Sequence, residues 1–132
     1  KIIGWTLNRN LGVEGALKAL NMALASRKDK SESLIHHSDR GIQYCCKEYV
    51  KTLHTAGIDI SMTEDNHCYE NAVAERVNGI LKNEFYLDNI FNNFEQALSA
   101  VGSGIKNYNE KRPHWSLDLQ TPSKVYSQTK AA

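Results

Sequence analysis

The sequence predicts an α/β fold with parallel strands, and three observations carry that prediction. Strand-like and helix-like segments alternate along the chain in the order β-α-β-α-β-α-α. The strand signals are short apolar runs at Lys1–Leu7 and Leu34–His36 and a strict alternation over Ile58–Met62. Between and after them, apolar residues recur at three- and four-residue spacing, the period of amphipathic helices. Strands separated by helical stretches argue for a layered sheet joined by crossover helices.

Each element follows from its residues. Lys1–Leu7 (KIIGWTL) is the first strand, with Ile2, Ile3 and Trp5 as bulk, and Asn8-Arg9-Asn10 turns the chain. Val13, Ala16, Leu17, Leu20 and Leu24 predict a helix over 13–26. A charged loop, Arg27–Ser33, leads into Leu34-Ile35-His36, a short buried strand ended by Ser38-Asp39-Arg40-Gly41. Tyr44 to Ala56 is helical with Tyr49, Val50 and Leu53 inward, and Gly57 stops it. Ile58–Met62 has the alternation of a half-buried strand, and Thr63 to Tyr69 is polar and irregular. Asn71 to Phe85 is a helix with Val73, Val77, Ile80 and Leu81 on one stripe. Phe94 to Tyr108 is a further helix, weakened by Gly102 and Gly104, which mark either a kink or a lapse in the helical pattern. Pro113 closes it, and Thr121-Pro122 opens a short tail.

Composition narrows the class. The 132 residues suit one ordinary domain with one core. Hydrophobic residues make up 41% and charged residues 23%, which excludes collagen-like, low-complexity and mostly disordered chains. There is no internal repeat, no apolar run near the ~18 residues of a membrane span, and no signal-peptide design. Three cysteines, Cys45, Cys46 and Cys68, are too few and too odd in number for a disulfide framework, so reduced thiols and a cytoplasmic home are expected. The net charge of +1 hides a division: +4 over residues 1–58, −6 over 59–95 and +3 over 96–132. An acidic middle between basic flanks is compatible with a cation site beside a polyanion surface, and equally with three solvated faces.

Two acids stand out by position. Asp39 follows an apolar strand at its carboxyl end, the edge where open α/β sheets bind ligands. Glu75 lies in the first turns of the Asn71–Phe85 helix, opposite the apolar stripe, and Asn71, Glu75, Asn78 and Lys82 share one polar face. Carboxylates from a strand end and a neighbouring helix can converge on a hard cation, which takes oxygen ligands.

Longer words surround these acids. His37-Ser38-Asp39-Arg40-Gly41-Ile42-Gln43-Tyr44 is followed by Asn66-His67-Cys68-Tyr69-Glu70-Asn71-Ala72-Val73-Ala74-Glu75, then Tyr108-Asn109-Glu110-Lys111-Arg112-Pro113-His114, Leu117 and Thr121-Pro122. With these words at this spacing, the whole chain resembles the integrase core of insertion-sequence transposases of the IS3 type, relatives of retroviral integrases. The resemblance implies a ribonuclease-H-like fold and an Asp-Asp-Glu triad, in which Asp39 is the second acid and Glu75 the third. Their implied task is to hold two Mg²⁺ or Mn²⁺ ions for cleavage and transfer of DNA strands in transposition. It also implies DNA as the partner, with Lys82 on the backbone near the transposon end. Asn71, Asn78, Arg40, Lys111 and Arg112 are the further DNA-contact candidates; Asn66, Tyr69 and Asn71 in the polar loop either contact DNA or simply cap the helix.

The sequence departs from that pattern at its start. The family's first acid belongs to a strand upstream of the segment that looks like KIIGW, and no residue between Lys1 and Asp39 matches it; Asp29 lies in a charged loop. The expectation is a core lacking its first two strands: a three-strand remnant with flanking helices, with 1–112 as partial catalytic core and 113–132 as its C-terminal tail. Such a chain is expected to be inactive alone, to expose strand edges, and to cover them as a homodimer or strand-exchanged assembly. A non-catalytic DNA-binding or oligomerisation fragment is the alternative, and an unrelated α/β binding module a third.

Other residues invite competing readings. His36-His37 with Cys45-Cys46 fits no standard zinc spacing, and structural thiols are favoured. His37 is a candidate to line the Asp39 edge. Lys106, Lys111, Arg112 and His114, interleaved with Tyr108 and Trp115, form a basic aromatic cluster. It suits DNA backbone contact, or a turn docking the last helix with Trp115 and Leu117 as anchors.

Overall fold

In the computed structural model, residues 1–27, 31–63 and 71–128 are described. The elements are α1 (Val13–Ser26), β1 (Leu34–Ser38), α2 (Ile42–Cys45), α3 (Lys47–Thr55), β2 (Ile58–Met62), α4 (Ala72–Asn83), α5 (Phe94–Glu110), a single 3-10 turn (Trp115–Leu117) and α6 (Pro122–Gln128). The chain divides into two compact units, Ile3–Ala74 and Lys1–Ile2 with Glu75–Ala132.

The first unit is built on a parallel pair. β1 and β2 run in register from Leu34 opposite Ile58 to Ser38 opposite Met62, and Thr63 N–H donating to the Ser38 carbonyl (3.0 Å) carries the pairing one step further. Tyr49, Leu53 and Ile58 pack with Leu20 of α1 to form the core, Leu53 at 1% exposure. Tyr49 and Leu53 are inward as the helical spacing predicts, whereas Val50 is only half-buried and outside the core; burying a leucine as fully as Leu53 is worth ~2 kcal/mol. Gly57 takes φ +65° and ends α3 as expected.

Two local expectations change. The predicted single helix over Tyr44–Ala56 is two helices, α2 and α3, broken at Cys46, whose extended backbone lets its sulfur cap α3 by accepting from Tyr49 N–H at 3.4 Å. Lys1–Leu7 joins no ladder, so among the described residues the sheet has two strands rather than three. A strand needs a hydrogen-bonding neighbour, and within the first unit the chain at Gly4 lies against α1 instead. Gly4 is required there: a Cβ at that position would stand 2.1 Å from the Ala19 carbonyl oxygen.

The second unit buries Ile80 of α4 with Ile105, Tyr108 and Asn109 of α5. Of the predicted α4 stripe, Ile80 is buried, Val77 and Leu81 are half-buried, and Val73 is 81% exposed. α5 runs through Gly102 and Gly104 as one continuous helix. Gly104 is buried, and a Cβ would meet Leu87 at 3.3 Å and Phe85 at 3.5 Å, so the glycine serves close packing of the 85–87 segment. Asn93 caps α5 by accepting from Gln96 N–H (2.8 Å). Asn109 clamps the first residues: it accepts from Ile2 N–H and donates to the Ile2 carbonyl, both at 2.9 Å. The segment after Pro113, expected as a tail, contains a short helix, α6.

Candidate functional site

Asp39 sits immediately after β1, at the carboxyl end of the parallel pair, and is exposed. Its Oδ1 accepts from Gly41 N–H at 2.9 Å, which fixes the carboxylate over the turn that starts α2. Beside it, Arg40 Nε donates to the Thr63 carbonyl at 2.9 Å, tying the loop after β1 to the end of β2. His37, also exposed, is hydrogen-bonded across the pair to Ser61 Oγ at 3.0 Å.

A polar-aromatic cluster supports this strand. Tyr49 O–H lies 3.1 Å from His36 Nε2, and Tyr44 stands edge-on to Tyr49 with ring centroids 5.4 Å apart. Burial, with Tyr44 and Cys46 adding to it, pushes the Tyr49 phenol up to about 12, so it stays protonated and donates. Burial, with the neighbouring His37 adding to it, holds the His36 imidazole below its usual range, so it stays neutral and accepts. These residues fix the strand that carries Asp39.

Glu75 belongs to the second unit and lies in the first turn of α4. Glu75, Asn78 and Lys82 are all exposed and share a helix face, with the half-buried Asn71 one residue before the helix. Asp39 and Glu75 are thus positioned by separate compact units. Among the described residues no group of three or more His, Cys, Asp or Glu is gathered as a metal cluster. Asp29, Asn66, Cys68 and Tyr69 lie outside the described residues.

The end of α5 holds an arrangement that sequence patterns do not show. Arg112 makes a two-pronged pair with Glu84, Nε to Oε2 and Nη2 to Oε1, both at 2.6 Å. Its Nη1 donates to the Pro113 carbonyl and to His114 Nδ1, both at 3.3 Å. His114 in turn stands edge-on to Tyr108, with centroids 5.0 Å apart. The guanidinium of this expected DNA contact is therefore engaged inside the protein, where it braces the end of α4 against the turn after α5. Glu84 is held below the usual carboxylate range by its hydrogen bonds from Arg112, and His114 is lowered by burial and by the Arg112 charge. Tyr108 is buried and belongs to the core.

Trp115 is not an anchor: it is 87% exposed, whereas Leu117 is half-buried. Lys106 and Lys111 are exposed. Cys46 has the capping role already described, and Cys45 lies 3.9 Å from Met62 Sδ. A cleft beside α1 and α3, lined by Leu24, Arg27, Lys51, Thr52, Thr55 and Ala56, contains no residue of the motif words. No helix among the described residues is long and apolar enough to cross a membrane.

The integrase core domain family matches residues 1–68 and again residues 56–122. The chain is 37% identical over 124 residues to the insertion element IS600 uncharacterized 31 kDa protein of Shigella sonnei, covering 93% of this chain and 45% of that protein. It is 29% identical over 123 residues to the transposase for insertion sequence element IS904 of Lactococcus lactis, covering 92% and 48%. The chain thus spans about half the length of the curated relatives it matches. Among solved structures, the catalytic core domain of BIV integrase superposes with a TM-score of 0.71 at 16% identity, over 96% of this chain and 78% of that one. A chain of the simian T-cell lymphotropic virus intasome in complex with PP2A regulatory subunit B56 gamma superposes at 0.66, with 20% identity over 83% and 38%. These likenesses give a ribonuclease-H-like fold, and with the family matches they show that the chain belongs to the integrase core domain family, in its insertion-sequence transposase branch.

Proposed function

We propose that this chain supplies metal-binding and DNA-binding surface to a transposase catalytic core whose reaction is divalent-metal-dependent cleavage and transfer of DNA strands. The observation that carries the reading is Asp39: an exposed carboxylate at the carboxyl end of a parallel strand, steadied by the Gly41 amide within the HSDRGIQY word. Asp39 and Glu75 offer exposed carboxylate oxygens, the donor chemistry that Mg²⁺ or Mn²⁺ takes. Two such ions, when bound by the family's three acids, supply an activated water or 3′-hydroxyl and stabilise the leaving oxygen of the phosphodiester.

The chain's own residues do the holding and positioning. Asp39 and Glu75 are the metal ligands. Lys82, with Asn78 and Asn71 along the same side of α4, contacts the DNA backbone, and Arg40 and Lys111 add phosphate contacts. Arg112 acts through Glu84, as a brace for the end of α4. Asp39 and Glu75 are two of the three acids that the family's reaction uses, so these two by themselves support metal and DNA binding rather than cutting. The exposed Leu34 (46%) and Ile35 (65%) of β1 favour a homodimer or strand-exchanged assembly, because an open apolar strand recruits another chain. Its setting is the bacterial cytoplasm, where Cys45 and Cys46 stay reduced.

The test pairs Mn²⁺ titration calorimetry with a nicking assay on supercoiled plasmid. Mn²⁺ binding is expected to weaken at least about tenfold in Asp39→Asn and in Glu75→Gln, the loss typical of a displaced ligand. Mn²⁺ affinity unchanged in both variants, or nicking by the chain that survives Asp39→Asn, refutes the assignment.

A further inference from the structure

The indole of Trp115 is 87% exposed, in a molecule whose other tryptophan is half-buried. The turn that carries it is nonetheless firmly held. His114 and Gln120 pair as an antiparallel bridge, with His114 N–H donating to the Gln120 carbonyl at 3.2 Å and Leu119 N–H to the His114 carbonyl at 2.9 Å. Leu117 and Asp118 N–H close the 3-10 turn on the His114 and Trp115 carbonyls. Asp118 and Leu119 both take left-handed backbone, at φ 50° and 60°, a conformation that costs energy for non-glycine residues and that the bonds around them hold in place. Arg112 fixes the base of the turn through His114 and Pro113. A rigid turn therefore presents an aromatic face left open among the described residues.

We propose that Trp115 is a stacking platform for an unpaired DNA base, next to backbone contacts made by Lys111. This rests on the DNA-binding reading above and adds to it a preference for single-stranded or frayed DNA, because an indole can stack only on a base that has left its pair. Nucleic acid is favoured as the occupant by charge. Residues 96–132 carry five Lys/Arg against two Asp/Glu, Glu110 and Asp118, and Lys111 and Lys124, both exposed, flank the turn in sequence. A fixed two-angle side chain also loses little freedom on binding, which suits a stacking contact.

The test uses the full chain in a Trp5→Phe background, so that Trp115 is the sole tryptophan emitter. Single-stranded oligonucleotide is expected to quench its fluorescence, and blunt duplex of the same sequence to quench it little. Trp115→Ala is expected to weaken single-strand binding about tenfold while leaving blunt-duplex binding unchanged, and Trp115→Phe to retain most of the affinity. Binding to both DNAs with equal single-strand affinity in Trp115→Ala overturns the stacking site and leaves the DNA-binding reading intact. Failure of the unaltered chain to bind either DNA overturns both. A change of oligomeric state in Trp115→Ala, with DNA binding unchanged, overturns the proposal in favour of a protein contact.

Discussion

Arg112→Ala separates a brace from a DNA contact. The substitution removes two charge-assisted bonds to Glu84, both at 2.6 Å, and two longer bonds to Pro113 and His114. The Arg112 side chain is 19% exposed and that of Glu84 is 45% exposed, so water screens the pair. Exposed ion pairs contribute ~0.2–1 kcal/mol; the two-pronged geometry and the mostly covered guanidinium place this one at the upper end, about 1 kcal/mol. The two longer bonds add about 0.5 kcal/mol, because the atoms they release regain water. Arg112→Ala is thus expected to cost about 1.5 kcal/mol, Glu84→Ala about 1 kcal/mol, and the double variant no more than Arg112→Ala alone. Urea unfolding of the four proteins measures this, and the coupling should shrink in high salt. In parallel, the salt dependence of duplex binding should be unchanged in Arg112→Ala, whereas Lys111→Ala should lower the log–log slope by about 0.9. A coupling energy below about 0.3 kcal/mol, or a slope that falls in Arg112→Ala as it does in Lys111→Ala, refutes the brace.

Three further outcomes are expected. Asn109→Ala removes both bonds to the Ile2 backbone and should destabilise by about 2 kcal/mol in urea unfolding, while Asn109→Asp, which sets a carboxylate against the Ile2 carbonyl, should cost at least as much at neutral pH. Leu53→Ala opens a cavity at the most buried side chain and should cost about 3 kcal/mol by the same measurement. Acid should destabilise the fold in two stages. His36 and His114 are both lowered by burial, so the unfolded chain binds their protons first, and stability falls as pH drops through about 6.5. Glu84 is lowered by Arg112, so its contribution is present above the unfolded carboxylate range and is lost below about 4.3. Thermal melts across pH 3–8 check both stages, and His36→Gln should flatten the upper one.

What the sequence determined by itself is local. Apolar spacing places α1 at Val13–Ser26 and β2 at Ile58–Met62 with the same bounds as the structure, because periodicity reports directly which face of an element is buried. Gly57 marks the end of α3 because the position needs positive φ. The strand and helix patterns put Asp39 at a strand end and Glu75 in a first helical turn, since both depend only on near neighbours in sequence. Tertiary structure decided whatever depends on a partner far along the chain. Lys1–Leu7 has the composition of a strand, yet a strand exists only beside another: Gly4 packs on α1, and Ile2 is clamped by Asn109, 107 residues away. Arg112 reads as a cation for phosphate until Glu84, 28 residues earlier, is found to occupy it. Trp115 and Leu117 look alike as apolar anchors, and only the pinned turn decides that the leucine faces in and the indole faces water. Spacing along the chain encodes which face of an element is apolar; which surface meets that face is set by the chain's return path, and no local pattern records it.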